Sequence, residues 1–317
     1  MRILKSWQGV DGRGLEQADR GASVAMGNFD GVHLGHQAVI GLARDRARAL
    51  GAPLGVVTFE PHPREFFAPA APPFRLMNAE ARDHRMEKLG VERLYELPFT
   101  ADLAAMSPRA FAEDVLARGL GISHVVVGSD FCFGKGRTGT AADLAALGQE
   151  LGFTTTIAEL VGDAGDEISS TAIREALSAG RPGDAARMLG HWHRIEGPVI
   201  HGEKRGRDLG YPTANMDISG LHPPRFGVYA VKVDVLSGPN IGTYDGAASL
   251  GIRPMFGENL PNLETFLLDF AGDLYGADLS VALVEFLRPE LKFTGLPELI
   301  AQMEEDCTRA REILAGV

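Results

Sequence analysis

The sequence predicts an α/β domain built on a parallel sheet, followed by a compact antiparallel β-barrel that closes with a helix. Three observations carry this expectation. From Ser23 to about Gly180, short apolar runs alternate with longer helical patterns, which is the rhythm of βαβ units. Beyond His191 that rhythm stops, and apolar runs follow one another across Gly, Pro and Asp clusters with little helix between them. From Pro297 to Leu314 a helical pattern returns.

In chain order, the first half predicts strands over 23–26, 54–59, 94–99, 124–127 and 153–160. Helices are expected over 37–50, 79–89, 107–118, 141–151 and 170–179, with start signals at Ser107-Pro108 and Ser170. Ligands of such a sheet bind beyond the carboxyl ends of its strands. Arg181-Pro182-Gly183-Asp184 breaks the chain, and a short helix is expected over 185–189. The second half predicts strands over 195–200, 228–235, 244–250, 263–270 and 279–286. In the terminal helix, Leu299, Ile300, Met303, Ile313 and Leu314 form a stripe expected to rest on the barrel.

Composition bounds the function. The 317 residues and 45% hydrophobic content suffice for two domains. With 31 basic and 42 acidic residues the net charge is −11, which argues against broad binding to nucleic acid or anionic membranes. Cys132 and Cys307, the only cysteines, cannot supply a metal cluster and are expected as reduced thiols. The first residues lack the apolar core of a signal peptide, and no apolar run is long enough to span a bilayer. A soluble, cytoplasmic protein acting on small molecules is expected, with no stable protein partner implied.

Four stretches of the first half point to one site. Gly27-Asn28-Phe29-Asp30-Gly31-Val32-His33-Leu34-Gly35-His36 leads from a strand into a helix. Its glycines let the backbone approach an anion, free N–H groups face that anion at the helix start, and His33 and His36 lie on one turn. Thr58-Phe59-Glu60-Pro61-His62-Pro63-Arg64 reads as a rigid loop carrying a His and an Arg. Val127 to Gly139 is a glycine-rich basic loop containing Asp130, without the Gly-Lys-[Ser/Thr] ending of a P-loop. Ile168-Ser169-Ser170-Thr171-Ala172-Ile173-Arg174 places hydroxyls at a helix start with an arginine one turn on. Together these residues fit nucleotidyl transfer, in which His33, His36, helix amides and Arg174 stabilise charge on a transferred phosphate and a magnesium ion accompanies the triphosphate.

The second half carries its own set. Gly202 to Gly210 combines glycines with basic residues, and Tyr211-Pro212-Thr213-Ala214-Asn215 follows. Thr213 and Asn215 point to one side of an extended segment, where their oxygens can meet a magnesium ion or its phosphates. Glu264 sits within an apolar strand, a position that demands a partner or a task, and it suits a general base.

His33-Leu34-Gly35-His36 resembles the HxGH signature of the nucleotidylyltransferase superfamily, and 168–174 resembles its ISSTxxR signature. With TFEPHP and GSDFCFG, the first half is similar to the adenylyltransferase half of the prokaryotic bifunctional riboflavin kinase and FAD synthetase family. The second half, with its PTAN motif, resembles the flavokinase half. The resemblance implies a Rossmann-like nucleotidyltransferase domain over 1–182 and a six-stranded flavokinase-type β-barrel with its C-terminal helix over 183–317. The implied substrates are ATP, riboflavin and FMN, with Mg2+ accompanying ATP and FAD as product. The implied catalytic residues are His33, His36, Arg174 and Glu264, with Glu264 deprotonating the ribityl hydroxyl. Gly27, Asn28, Phe29, His62, Asp130, Ser170 and Thr171 are the implied binding residues of the first half. Lys204, Arg207, Gly210, Thr213 and Asn215 are those of the second, and Thr213 and Asn215 would also meet the metal. Two departures stand out: Pro254-Met255-Phe256 where the family has Pro-Thr-Phe, and His191-Trp192-His193 where it has Arg-Pro-Tyr. Two other readings stand beside this one: a nucleotidyltransferase for a different coenzyme or lipid precursor, and a non-catalytic flavin-binding module. Riboflavin-dependent conversion of ATP to ADP separates the first from the bifunctional reading, and the chemically competent residues at both sites disfavour the second.

Overall fold

The computed structural model describes residues 1–9, 14–159, 162–163, 166–201, 211–255 and 258–317. The chain forms two compact units, Met1–Ala71 with Arg82–Ile168, and Pro72–Ala81 with Ser169–Val317.

The first unit is built on a six-stranded sheet: β1 Arg2–Leu4, β2 Ser23–Met26, β3 Leu54–Glu60, β4 Arg93–Pro98, β5 His124–Gly128 and β6 Thr154–Ala158. Their order is β1-β4-β3-β2-β5-β6, and every pairing is parallel. Strands β2, β3 and β5 are near-continuous apolar runs because helices cover both faces of such a sheet. The order reverses between β2 and β5, so the carboxyl end of β2 opens at the switch point where α/β sheets hold ligands. Helix α1 Leu34–Leu50 leaves from that end and terminates at Gly51, whose φ of 62° is the left-handed conformation a helix stop requires. A helix begun at Pro108 runs in π form over Phe111–Leu120, and α2 Ala141–Leu151 precedes β6.

The second unit contains α3 Ser170–Ser178, α4 Pro182–Leu189, six strands and α5 Leu296–Leu314. The strands are β7 Arg194–Pro198, β8 Ala214–Asp217, β9 Gly227–Val235, β10 Gly242–Met255, β11 Glu258–Leu267 and β12 Asp278–Arg288. They pair antiparallel in the order β7-β12-β9-β10-β11-β8. The two edges approach through an isolated bridge just beyond β7, where the Ile200 N–H donates to the Asn215 carbonyl at 2.9 Å. Period-two alternation divides each strand between two environments. Tyr229, Val231, Val233 and Leu263 fill the barrel, while Val228, Ala230 and Ala247 face outward beneath α5. The expected stripe on α5 therefore splits: Leu314 packs on the barrel with Ala310, and Ile313 packs at the same surface, whereas Leu299 and Met303 line a cavity.

Candidate active site

The turn after β2 is wound tightly by three left-handed residues, Phe29 at φ 54°, Gly31 at 83° and Val32 at 44°. Positive φ is unusual for a β-branched residue, and here burial offsets its cost: Phe29 is 1% exposed and Val32 is fully buried. The Gly27 N–H donates to the Val57 carbonyl at 3.1 Å, and the Thr58 hydroxyl to the Asn28 carbonyl at 3.3 Å, tying the turn to β3. His33 then caps α1, its Nδ1 accepting the His36 N–H at 3.3 Å. With Nδ1 accepting this bond, Nε2 is the ring nitrogen left to act as a donor. The two imidazoles stack with centroids 3.6 Å apart and planes 20° from parallel, and Phe29 meets His36 edge-on at 5.2 Å. Burial, then the adjacent His33, holds the His36 imidazole well below its ordinary value. The sequence spacing thus brings the two rings together on one turn, stacked face to face.

A cavity of about 620 Å³ in this unit is lined by Gly27, Asn28, His62, Asp130 and several phenylalanines, Phe59, Phe99 and Phe131 among them. Three separate sequence stretches meet there. The stretch expected as a rigid loop around His62 instead starts a helix over Pro63–Phe67 after a cis Glu60–Pro61 bond. His62 caps it through a capping box, Nδ1 accepting the Arg64 N–H at 3.0 Å while Glu65 accepts the His62 N–H at 3.2 Å. The phenylalanine lining was missed in the sequence because its members, Phe59, Phe67, Phe99, Phe111, Phe131 and Phe133, are scattered over separate stretches.

Ser170, Thr171 and Arg174 lie on α3 of the second unit, and Ser169 is its cap, accepting the Ala172 N–H at 3.2 Å. The Arg174 Nε–H donates to the Phe74 carbonyl at 2.6 Å.

In the barrel unit, a cavity of about 290 Å³ between the outward barrel face and α5 is lined by Thr213, Ser249, Glu264, Phe266 and Arg288. Pairing register explains the assembly: Glu264 stands opposite Asn215 on β8 and Ser249 on β10. Its neighbours Leu263 and Thr265 point the other way and are buried. The Asn215 amide is fixed by bonds from Asn262 Nδ2 to its Oδ1 at 3.0 Å and from its Nδ2 to the Thr213 carbonyl at 3.3 Å. Asn262 Oδ1 is buried without a hydrogen-bond partner among the described residues. At the far wall, Asp306 of α5 accepts from Arg288 at 2.9, 3.1 and 2.7 Å, and burial chiefly pushes the Cys307 thiol beside it up to about 11. Asn262, Ser249 and Arg288 were not legible as site residues, since only the strand register brings them here.

Lys204, Arg207, Gly210 and the loop around them lie outside the described residues, as does Phe256. At the His191-Trp192-His193 departure, His193 Nε2 donates to the distant Leu76 carbonyl at 3.0 Å and Trp192 packs against the α5 cluster.

The parallel-sheet unit and the barrel unit each carry a cavity lined by chemistry-bearing side chains. Residues 15–172 match the FAD synthetase family and residues 189–314 the riboflavin kinase family. A protein of Pseudomonas fluorescens described as bifunctional riboflavin kinase/FMN adenylyltransferase is 41% identical over 302 residues, covering 95% of this chain and 96% of that protein. Proteins of the same description from Listeria monocytogenes and Escherichia coli K12 are 39% and 38% identical, each covering 95% of its own length. A crystal structure described as a macrolide-efflux protein from Streptococcus pneumoniae superposes with a TM-score of 0.80 at 31% identity, over 96% of both chains. Among the described residues, no helix here is long and apolar enough to cross a membrane. The chain belongs to the bifunctional riboflavin kinase/FMN adenylyltransferase family.

Proposed function

We propose that the chain makes two flavin nucleotides in succession. The barrel transfers the γ-phosphate of ATP to riboflavin, giving FMN and ADP, and the parallel-sheet domain joins AMP from a second ATP to FMN, giving FAD and pyrophosphate. The observation that carries this reading is the pair of cavities with different chemical equipment: a carboxylate lines one, and the turn that gives Gly27 and Asn28 to the other carries two stacked imidazoles.

That contrast follows the two reactions. Riboflavin attacks through a hydroxyl, so Glu264 accepts its proton as the oxygen bonds to the γ-phosphorus and ADP leaves. FMN attacks through a phosphate oxygen that is already anionic, so its site needs donors rather than a base. His33, His36, the α1 amides and Arg174 meet charge on the transferred group as pyrophosphate departs. Gly27, Asn28, Phe29, His62, Asp130, Ser170 and Thr171 bind the nucleotides and flavin there. Lys204, Arg207 and Gly210 cover the ATP of the kinase site.

The hard oxygens of Thr213 and Asn215, with the orphaned Asn262 oxygen beside them, suit a magnesium ion carried with ATP. Thr213 and Asn215 would hold it, and when bound it offsets charge on the phosphates. We assign the adenylyltransferase to 1–182 and the kinase to 183–317, a division supported by the gap between the matched regions. The enzyme is cytoplasmic and acts on small molecules in this reading.

Incubating the protein with riboflavin, ATP and magnesium and separating the flavins tests it. FMN and FAD should both form, and formation of neither by folded protein refutes the reading. Glu264→Ala should stop FMN formation while supplied FMN is still adenylylated. His33→Ala or His36→Ala should slow only the second step, by roughly a hundredfold.

A further inference from the structure

We propose that Phe74 is a positioning residue for adenylyl transfer, its carbonyl and its ring together fixing the Arg174 guanidinium for the transferred phosphate. The inference rests on the role given above to Arg174.

Phe74 belongs to Pro72–Ala81, the segment that sequence places inside the first unit but that forms part of the second. It meets Arg174 twice. Its carbonyl accepts the Arg174 Nε–H at 2.6 Å, and its ring lies 5.3 Å from the guanidinium carbon. An in-plane bond and a ring against the planar face constrain different rotations, so the two contacts restrict both the place and the tilt of the fork.

The holder is itself held. Arg75 forms a parallel bridge with Leu221, and its carbonyl accepts the His222 N–H at 2.8 Å. The Leu76 carbonyl accepts from His193 Nε2 at 3.0 Å, and Asn78 Nδ2 donates to the Glu196 carbonyl at 3.0 Å. Leu76 is fully buried with Ile173 and Leu177, residues of the helix that carries Arg174. The main chain of Arg174 is fixed as well, its carbonyl accepting from His222 Nε2 at 3.2 Å.

A long arginine loses much rotamer freedom when it grips a phosphate, and a guanidinium oriented beforehand loses less in the transition state. The Phe74 ring is buried and also lies over the guanidinium, so a variant that keeps apolar bulk but removes the ring face separates orientation from packing.

The test uses the full chain and measures both activities. Phe74→Leu keeps the carbonyl and the apolar bulk but removes the ring face, whereas Phe74→Tyr keeps that face. Adenylylation kcat should fall about tenfold in Phe74→Leu, with KM for FMN within about twofold, riboflavin phosphorylation unchanged, and near-normal kcat in Phe74→Tyr. In an Arg174→Ala background, Phe74→Leu should cost nothing more. If Arg174→Ala is slow but Phe74→Leu retains its kcat, or loses both activities equally, positioning by Phe74 is wrong and the role of Arg174 stands. Unimpaired adenylylation in Arg174→Ala overturns both.

Discussion

Gly35 separates the two histidines of the α1 turn because a side chain there would strike one of them: a Cβ would lie 3.1 Å from Cε1 and Nδ1 of His33. Gly35→Ala should therefore push the His33 ring off its cap and its stack, lowering FMN adenylylation about tenfold or more while riboflavin phosphorylation is kept. Equal rates for Gly35→Ala and wild type would show that the ring can yield without cost. Cys307 offers a different check. With its thiol held near 11 by burial, it should resist iodoacetamide at pH 8, and mass spectrometry of the intact protein should find that site unmodified after brief treatment. At this scale the sequence was informative where chemistry-bearing residues are neighbours. His33, His36, Thr213 and Glu264 line up with their motifs, whereas the partner of Arg174 lies 100 residues away and left no local sign.

Elements were legible in proportion to their length and period. The long helix α1 and the apolar strands of the first sheet follow the expected pattern within a few residues. Strand β8, Ala-Asn-Met-Asp, has little intrinsic preference for extension and is defined by its pairing with β11. The helix at Pro63 was hidden because histidine is an uncommon cap, and both His33 and His62 serve in that way. A helical pattern predicted the segment after Ser107 but could not signal the π form of Phe111–Leu120. His193, just before β7, gives this scale its prediction. Burial lowers its imidazole to about 4, and its Nδ1 has no hydrogen-bond partner among the described residues. Because the folded value lies below the unfolded one of about 6.5, its stabilising contribution is complete above that pH. The contribution is lost as pH falls toward 4, by roughly 3 kcal/mol in all. Urea midpoints at pH 7 and pH 4.5 should drop less in His193→Gln than in wild type, and equal drops would exclude His193 as the titrating group.

For the whole molecule, the change of texture near Gly180 and the switch from βαβ rhythm to consecutive strands made the two architectures readable. Compactness divides the chain elsewhere: Ser169 and α3 fall with the barrel, as does the segment Pro72–Ala81. No local pattern could announce that, because the ties, hydrogen bonds together with the packing of Leu76 on Ile173 and Leu177, join residues far apart in sequence. The proposed assignment of one step to each cavity predicts activities separable by mutation and recoverable by mixing. Glu264→Ala and His36→Ala proteins incubated together with riboflavin, ATP and magnesium should produce FAD that neither makes efficiently alone, at a rate that rises with protein concentration. Failure of the mixture, with each single activity verified, would mean that FMN must pass within one molecule.

The strap at Pro72–Ala81 also limits how such a chain can be recombined. A gene fusion cut at any one point between the two activities joins a barrel from one parent to ten strap residues from the other. Those residues must still fit His193, Glu196 and Leu221, which come from the far side of the cut. Chimeras of distant relatives should inherit an ill-fitting strap, so the two halves are expected to diverge together rather than trade as independent cassettes.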